Sequence, residues 1–407
     1  MPKIDFPFPD GASPYAEFNA IREKTRVHRT QLPDGPHVWI VTRYQDALEI
    51  FSEKSVTKSY REAKHYMNTS GAQTIDDTDI PDYEDMITSD SSRHEHLRRS
   101  VTAAFTPRRI RSLRPRIEQL THDLIDEFAA RGASDLMAEF AYPLPIAVIC
   151  ELLGVPKEDG ESFKHWAIAL VDEAAPEAGH AYAELSDYLR ELLLTKKKRR
   201  DDDLLGALLA EPAEPLAFDD VHATAVLLLW AGFATTANLI GNGVHALIQR
   251  PELTKPVLAR PEALSGLVEE LLRLYPPAQL STLRCATRPL SIGEIDIPTG
   301  SVVLVNIASA NRDPRQFREP DRIDPKREPN RHMSFGHGIH NCLGAALARL
   351  EGDIAFRALL ERLPNLAFDS TTAEPPWRPS GFMRGLAKLS VTFNSPTGTI
   401  AIPSGEA

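Results

Sequence analysis

A mostly α-helical chain with small β pieces is the fold class the sequence predicts, and three observations lead to it. Apolar residues recur at helical spacing in most segments from about Leu97 to about Leu274. Strand-like runs are confined to the two ends. From Val221 to Gln249 there is no Asp, Glu, Lys or Arg, a stretch long enough for a helix that crosses either a membrane or a large core.

His37-Val-Trp-Ile-Val-Thr42 follows a Pro-Asp-Gly turn and predicts a strand. The acidic stretch from Asp76 to Asp85 has little periodicity and reads as a mobile surface loop, with a substrate lid as the functional alternative. Ile117, Leu120, Leu124, Ile125 and Phe128 form the apolar stripe of a packed helix. Lys196-Lys-Lys-Arg-Arg200 followed by Asp201-Asp-Asp203 reads as a solvated loop between helices. In the uncharged stretch, Thr235, Thr236, Asn238 and Asn242 with Gly232, Gly241 and Gly243 would face lipid poorly, so a buried helix is expected, with Asp219 as N-cap and a stop before Pro251. Leu290–Ile297 and Val302–Val305 flank Pro298-Thr-Gly300 as a hairpin would.

The chain has 407 residues with 46 Lys and Arg against 57 Asp and Glu, a formal charge of −11, which argues against tracking a nucleic-acid backbone. Hydrophobic residues make up 42% and charged residues 25%, an ordinary globular balance. Cys150, Cys285 and Cys342 provide no disulfide framework and no Cys-x-x-Cys pair, and the N-terminal residues lack the apolar run of a signal peptide, so the expected compartment is the cytoplasm. No repeat or Gly/Ser-rich linker divides the sequence. One domain over residues 1–407 is expected, helix-rich over about 97–274, with a ligand loop at 335–344 and a flexible tail from about 395 to 407.

The sharpest segment is Phe335-Gly-His-Gly-Ile-His-Asn-Cys-Leu-Gly-Ala-Ala-Leu-Ala-Arg-Leu-Glu351. Its single cysteine sits among glycines just before strong helix formers, where backbone N–H groups and the positive helix end stabilise a thiolate. Gly336, Gly338 and Gly344 let backbone approach something flat, and a thiolate beneath a planar iron macrocycle suits that arrangement. The segment resembles the haem-binding loop of the cytochrome P450 family, Phe-Gly-x-Gly-x-His-x-Cys-x-Gly, at every fixed position from Phe335 to Gly344. The resemblance implies that Cys342 ligates the iron of haem b, Phe335 lies near the sulfur and His340 reaches a haem propionate.

Further motifs follow in the family's order. Glu270-Leu-Leu-Arg273 would by itself be a commonplace helix pair. It is similar to the family's Glu-x-x-Arg motif, and with Arg322 in Phe317-Arg-Glu-Pro-Asp-Arg322 it implies a buried network that holds the cysteine loop. His94 and Arg98 lie one turn apart on one helix face and are similar to the family's propionate-binding pair, with Arg284 as a further propionate partner. Ala231-Gly-Phe-Ala-Thr-Thr236 resembles the oxygen-binding signature, in which Thr235 and Thr236 carry the hydroxyls, but Ala234 stands where the family has an acid. Seven arginines between residues 98 and 116 (98, 99, 108, 109, 111, 114 and 116) without an acid read as a solvated face or as a docking surface for an acidic protein. By family position the substrate pocket would include Trp230, Ala231, Leu280, Phe382 and Met383.

The resemblance is to soluble actinobacterial members that tailor natural products. It implies a monomeric, cytoplasmic haem-thiolate monooxygenase taking O2, and electrons from NAD(P)H through a ferredoxin and its reductase, without nucleic acid or membrane. One oxygen atom would enter a bulky, largely apolar metabolite of polyketide or macrolide type, by hydroxylation or epoxidation. The missing acid at Ala234 leaves open a haem-thiolate oxidase doing coupling, desaturation or peroxide-driven chemistry, and a non-catalytic haem-binding sensor or carrier is the third reading.

Overall fold

The computed structural model describes residues 13–32, 37–70, 84–171, 176–199, 201, 203–210, 216–372, 374–380 and 382–395. The Pro-Asp-Gly turn before His37, most of the acidic stretch from Asp76 and the tail beyond residue 395 lie outside them. The chain opens with α1 (Tyr15–Lys24), β1 (Val27–Gln31), β2 (His37–Val41), α2 (Tyr44–Ser52), β3 (Val56–Thr57) and α3 (Tyr60–Ser70). Then come α4 (Ser91–Ala104), α5 (Pro107–Ser112), α6 (Arg114–Ala129) and β4 (Ala133–Asp135). The helical centre continues through α7 (Pro143–Leu153), α8 (Gly160–Ala169), α9 (Ala178–Arg199), α10 (Leu204–Leu209), α11 (Phe218–Ile248), α12 (Thr254–Leu258) and α13 (Pro261–Leu274). The last third carries β5 (Arg284–Ala286), β6 (Leu290–Ile292), β7 (Ile295–Ile297), β8 (Val302–Val305), α14 (Ile307–Ala310), α15 (Ala345–Arg362), β9 (Ala367–Phe368) and β10 (Ser390–Thr392).

Local chemistry sets several boundaries. Thr106 caps α5 by accepting the Arg109 N–H, with Pro107 in the first helical position. Gly154 ends α7 in the left-handed conformation at φ 67°. The stripe Ile117, Ile125 and Phe128 on α6 is fully buried. Among the described residues α11 is the one helix long and apolar enough to cross a membrane, and it runs instead through the core, against α7, α9, α13 and α15. Its glycines allow that closeness: a Cβ on Gly243 would stand 2.3 Å from the Phe356 ring of α15.

One five-stranded sheet has the order β1-β2-β8-β5-β3, a three-stranded sheet the order β4-β10-β9, and β6 and β7 form a ribbon. The predicted hairpin around Pro298-Thr-Gly300 is corrected by this topology. β6 pairs with β7, whereas β8 lies parallel to β2, from Val38 opposite Val302 to Val41 opposite Val305. β8 is buried along its whole length, which the ribbon could not provide.

Two other expectations change. The N-cap position of α11 is Ala217; Asp219 lies in the first turn, where a carboxylate favours the helix dipole, and pairs with Arg190 at 3.0 Å. The basic run after Leu194 is not a solvated loop, because α9 continues through it to Arg199. Lys196 is 3% exposed and its ammonium is bound by Asp203 and, at 3.4 Å, by Asp201. Asp201 and Asp203 thus satisfy a buried cation.

Candidate active site

A cavity of about 310 Å³ lies between the middle of α11 and the loop that leads into α15. Cys342 opens onto it, held by a tight turn: its N–H donates to the Phe335 carbonyl at 2.8 Å, and the Gly336 N–H to that of Met333 at 2.8 Å. Gly338 has φ 75°, and a Cβ there would meet the Phe51 carbonyl at 2.7 Å, so the turn requires glycine twice over. Burial raises the Cys342 thiol above its ordinary pKa, and the Gly344 and Ala345 N–H groups and the Arg98 and Arg349 guanidinium groups pull it back. Such a thiol gives up its proton when a metal cation takes the sulfur.

Behind the loop, Arg349 stacks over the Phe335 ring at 4.4 Å and bonds Glu269 at 2.6 Å. His332 bonds the same carboxylate at 3.0 Å. Burial opposes the charge on Glu269, but the bonds from His332 and Arg349 outweigh it and bring its pKa down to about 2.

Basic side chains line one part of the cavity. His94, 4% exposed, stacks 4.2 Å from His340, and its Nε2 has no hydrogen-bond partner among the described residues. Arg98 donates to the Asn341 carbonyl at 2.6 Å, and Arg284 lies over the Phe51 ring at 4.8 Å and donates to the Thr282 carbonyl at 3.0 Å. Lys58 and Asp90 complete the group, and neither was singled out from the sequence. Asp90 accepts from His340 at 3.0 Å, from Thr57 at 2.8 Å and from the Lys58 and Ser59 backbone N–H groups. Burial works against its charge, but these bonds hold it well below the usual carboxylate range.

The basic groups respond in the opposite sense. Burial, then repulsion from Arg284, brings Lys58 down to about 7; burial, then His340, brings His94 down to about 4; burial lowers Arg284 to about 10. With Asp90 as their nearest shared counter-charge, this wall lacks negative charge, and the two carboxylates of a haem suit it.

On the opposite wall, Thr235 donates to the Ala231 carbonyl at 2.8 Å and Thr236 to that of Gly232 at 3.0 Å. All four residues line the cavity, whereas Ala234 is buried in the main core. Leu280 lines the cavity as expected. Trp230 and Phe382 do not; they are 37% and 39% exposed. Met383 is also outside the wall, in an isolated bridge with Ala278. Leu227, Leu228, Met86 and Ile87 supply the apolar surface instead, because the pitch of α11 turns Trp230 away from the side that carries Leu227 and Ala231.

The buried network differs from expectation in its third member. Glu270 and Arg273 are fully buried and bonded at 2.6 Å and 2.9 Å. The other arginine on Glu270 is Arg327, at 3.0 Å, joined by Asn330 at 3.0 Å and the Asp324 N–H at 2.8 Å. Arg322 contributes only its backbone carbonyl; its side chain is 64% exposed and meets Glu319. The chain turns between the two arginines, so the later one points inward. Glu351, 2% exposed, also reaches the cavity, and its sequence signal was an acid on the apolar face of α15.

These features converge on one family. The chain belongs to the cytochrome P450 family. The family model matches residues 258–393. The chain is 39% identical over 388 residues to the cytochrome P450 monooxygenase PikC of Streptomyces venezuelae, covering 94% of this chain and 91% of that protein. It is 35% identical over 403 residues to the mycinamicin IV hydroxylase/epoxidase of Micromonospora griseorubida, covering 95% and 98%. The solved cytochrome P450 PksS, of the bacillaene polyketide synthase of Bacillus subtilis 168, superposes with a TM-score of 0.85 at 36% identity, covering 94% of this chain and 97% of that one. The protein is a cytochrome P450 monooxygenase, and its family implies a haem with a thiolate ligand and O2.

Proposed function

We propose that Cys342 holds the iron of haem b as its thiolate ligand, and that the enzyme inserts one oxygen atom from O2 into a bulky, largely apolar metabolite of macrolide or polyketide type, by hydroxylation or epoxidation. The observation that carries this reading is the single cavity onto which Cys342, the Thr235–Thr236 pair and the cation wall all open. The haem, when bound, supplies the redox chemistry of O2 activation. The protein's residues do the rest. His94, Arg98, Arg284 and His340 would hold its carboxylates, Phe335 shields the sulfur, and Gly336 and Gly344 leave room for the ring. Glu270, Arg273 and Arg327 hold the loop in place. Leu227, Leu228, Met86, Ile87 and Leu280 exclude water and receive apolar substrate. The mycinamicin IV hydroxylase/epoxidase among its relatives supports the substrate class.

Electrons would come from NAD(P)H through a ferredoxin and its reductase, in the cytoplasm. Arg111, Arg114 and Arg349 line a groove beside the cysteine loop together with Glu269 and Asp353, which pair with Arg349 and Arg114 at 2.6 Å and 3.6 Å; the arginine-rich run at 98–116 is what supports an acidic partner docking on that side. The test is the ferrous carbon monoxide spectrum of wild type and Cys342→Ser, followed by a spin-state titration with macrolides, polyketides, terpenoids and aromatics. A thiolate spectrum lost in the variant and a shift with macrolides are expected. A spectrum unchanged by the substitution refutes the ligand assignment. The buried Ala234 favours a second reading, peroxide-driven oxidation, and peroxide-supported turnover exceeding that with ferredoxin would establish it.

A further inference from the structure

We propose that a second cavity, at the C-terminal end of α11, binds a small organic anion: a carboxylate or phosphate group carried on a flat ring. Space, charge and the setting of the arginines each point to it.

The cavity measures about 750 Å³ and is walled by Tyr15 of α1, His245 at the end of α11, Tyr275 just after α13 and the segment that follows β9. That is the size of a small-molecule site, and far more than a lone inorganic ion fills. It shares no wall residue with the active site. The two lie back to back, because Arg384 of this cavity donates its N–H to the carbonyl of Pro277, a wall residue of the active site, at 2.8 Å. The Arg384 carbonyl in turn accepts from Asn242 of α11 at 2.9 Å.

Three guanidinium groups face the space, those of Arg250, Arg312 and Arg384. Arg312 and Arg384 are 4% and 7% exposed, and burial brings both below the ordinary arginine pKa. Arg312 donates to the Leu274 carbonyl and, at 3.2 Å, to Asp321. Nη1 of Arg250 is buried without a hydrogen-bond partner among the described residues, a donor that calls for an acceptor from outside the protein. The carboxylates of this wall stay at its rim. Asp321 and Glu374 are exposed, and Asp369 is turned to the Thr371 N–H at 2.9 Å and hydroxyl at 2.7 Å. Burial, then repulsion from Arg384 and Arg250, brings His245 down to about 4, so the positive fields of those two groups meet at its ring.

The arginines are also held flat. Arg312 stacks on the Tyr15 ring at 3.6 Å and Arg384 on the Trp377 ring at 3.7 Å. A stacked guanidinium keeps its plane fixed and its N–H edges free to grip two oxygens of one carboxylate or phosphate. Trp377 and Phe368 flank His245 at 5.1 Å and 5.2 Å, and these rings with Pro375 and Pro376 offer a surface for the ring of the ligand.

The test uses the haem-loaded protein as its diamagnetic ferrous carbon monoxide complex, with 13C-labelled histidine rings and the His245 resonance assigned by its loss in His245→Gln. Benzoate and phenyl phosphate are titrated against it, with benzyl alcohol as the neutral ring. At least one anion should shift the His245 resonance saturably with a Kd of about 1 mM or tighter, and the tighter of the two identifies the head group. With that anion bound, the His245 pKa should rise from about 4 to above about 5, since a neighbouring negative charge favours the imidazolium. Arg250→Met should weaken the anion at least tenfold while the carbon monoxide spectrum stays as in wild type. No saturable shift with either anion up to about 10 mM, benzyl alcohol binding as tightly as the anions, or unchanged affinity in Arg250→Met overturns the proposal. Should Arg250→Met fail to fold, wild type decides: an anion that binds and leaves His245 at about 4 overturns it.

Discussion

Arg327 and Arg322 lie five residues apart in one arginine-rich segment, and replacing each by methionine separates a buried structural cation from a surface one. Glu270 accepts five hydrogen bonds: two from Arg273 at 2.6 and 2.9 Å, and one each from Arg327 at 3.0 Å, Asn330 at 3.0 Å and the Asp324 N–H at 2.8 Å. Losing the charge-assisted bond from Arg327 should cost about 1.5–3 kcal/mol. Arg327 also donates to the carbonyls of Arg318 at 2.7 Å and of Glu319 and Arg322 at 3.2 Å, which bind the segment to itself. Losing these brings the expected cost of Arg327→Met to about 3 kcal/mol, roughly a hundredfold in the folding equilibrium. Arg322→Met removes a pair whose side chains are 64% and 58% exposed, and should stay within about 0.5 kcal/mol. Glu270→Gln, which leaves the fully buried Arg273 without its carboxylate, should cost about 3–5 kcal/mol. Urea unfolding followed by circular dichroism, with haem content measured on the same samples, gives all three values. Equal losses for the two arginine variants, or a silent Arg327→Met, would refute the reasoning.

Three more outcomes are expected. Lys196→Met should destabilise by about 3 kcal/mol in urea unfolding, because it leaves Asp203 without its buried cation; a surface-like change under about 0.5 kcal/mol would contradict the clamp. Glu269 is held near 2 against an ordinary 4.5, so its contribution is present in full above about pH 4.5 and is lost as pH falls from there toward 2. Glu269→Gln should therefore flatten the loss of stability measured by urea unfolding across that window, by up to about 3 kcal/mol. Gly338→Ala forces a left-handed backbone on alanine and a clash with the Phe51 carbonyl; it should cost about 1–3 kcal/mol and lower haem retention, as read by thermal melting and haem content.

What was legible from the sequence alone was local. The helical stripe on α6, the uncharged length of α11 and the glycines around Cys342 each act within a few residues of themselves, through side-chain periodicity, backbone freedom or a helix end. The alignment of His94 with Arg98 and of Glu270 with Arg273 is likewise set by the helix repeat. Partner choice across the chain was not legible. β8 pairs with β2, more than two hundred residues away, instead of with the nearer β7, because only the sheet interior buries all of its valines. Arg327 displaces Arg322 because the path of the connecting turn decides which guanidinium reaches Glu270. Trp230 leaves the cavity wall to Leu227 and Leu228 because the rotation of α11 about its axis is set by its neighbours. Asp90, Lys58 and Glu351 acquire their altered acidities only where the folded chain removes water and brings charges together or keeps them apart. The sequence by itself determined the helices, the cysteine loop and the chemistry they can support. Tertiary structure decided which charges are buried, which are paired and which face the cavity, since desolvation and Coulomb interaction depend on neighbours distant in the chain.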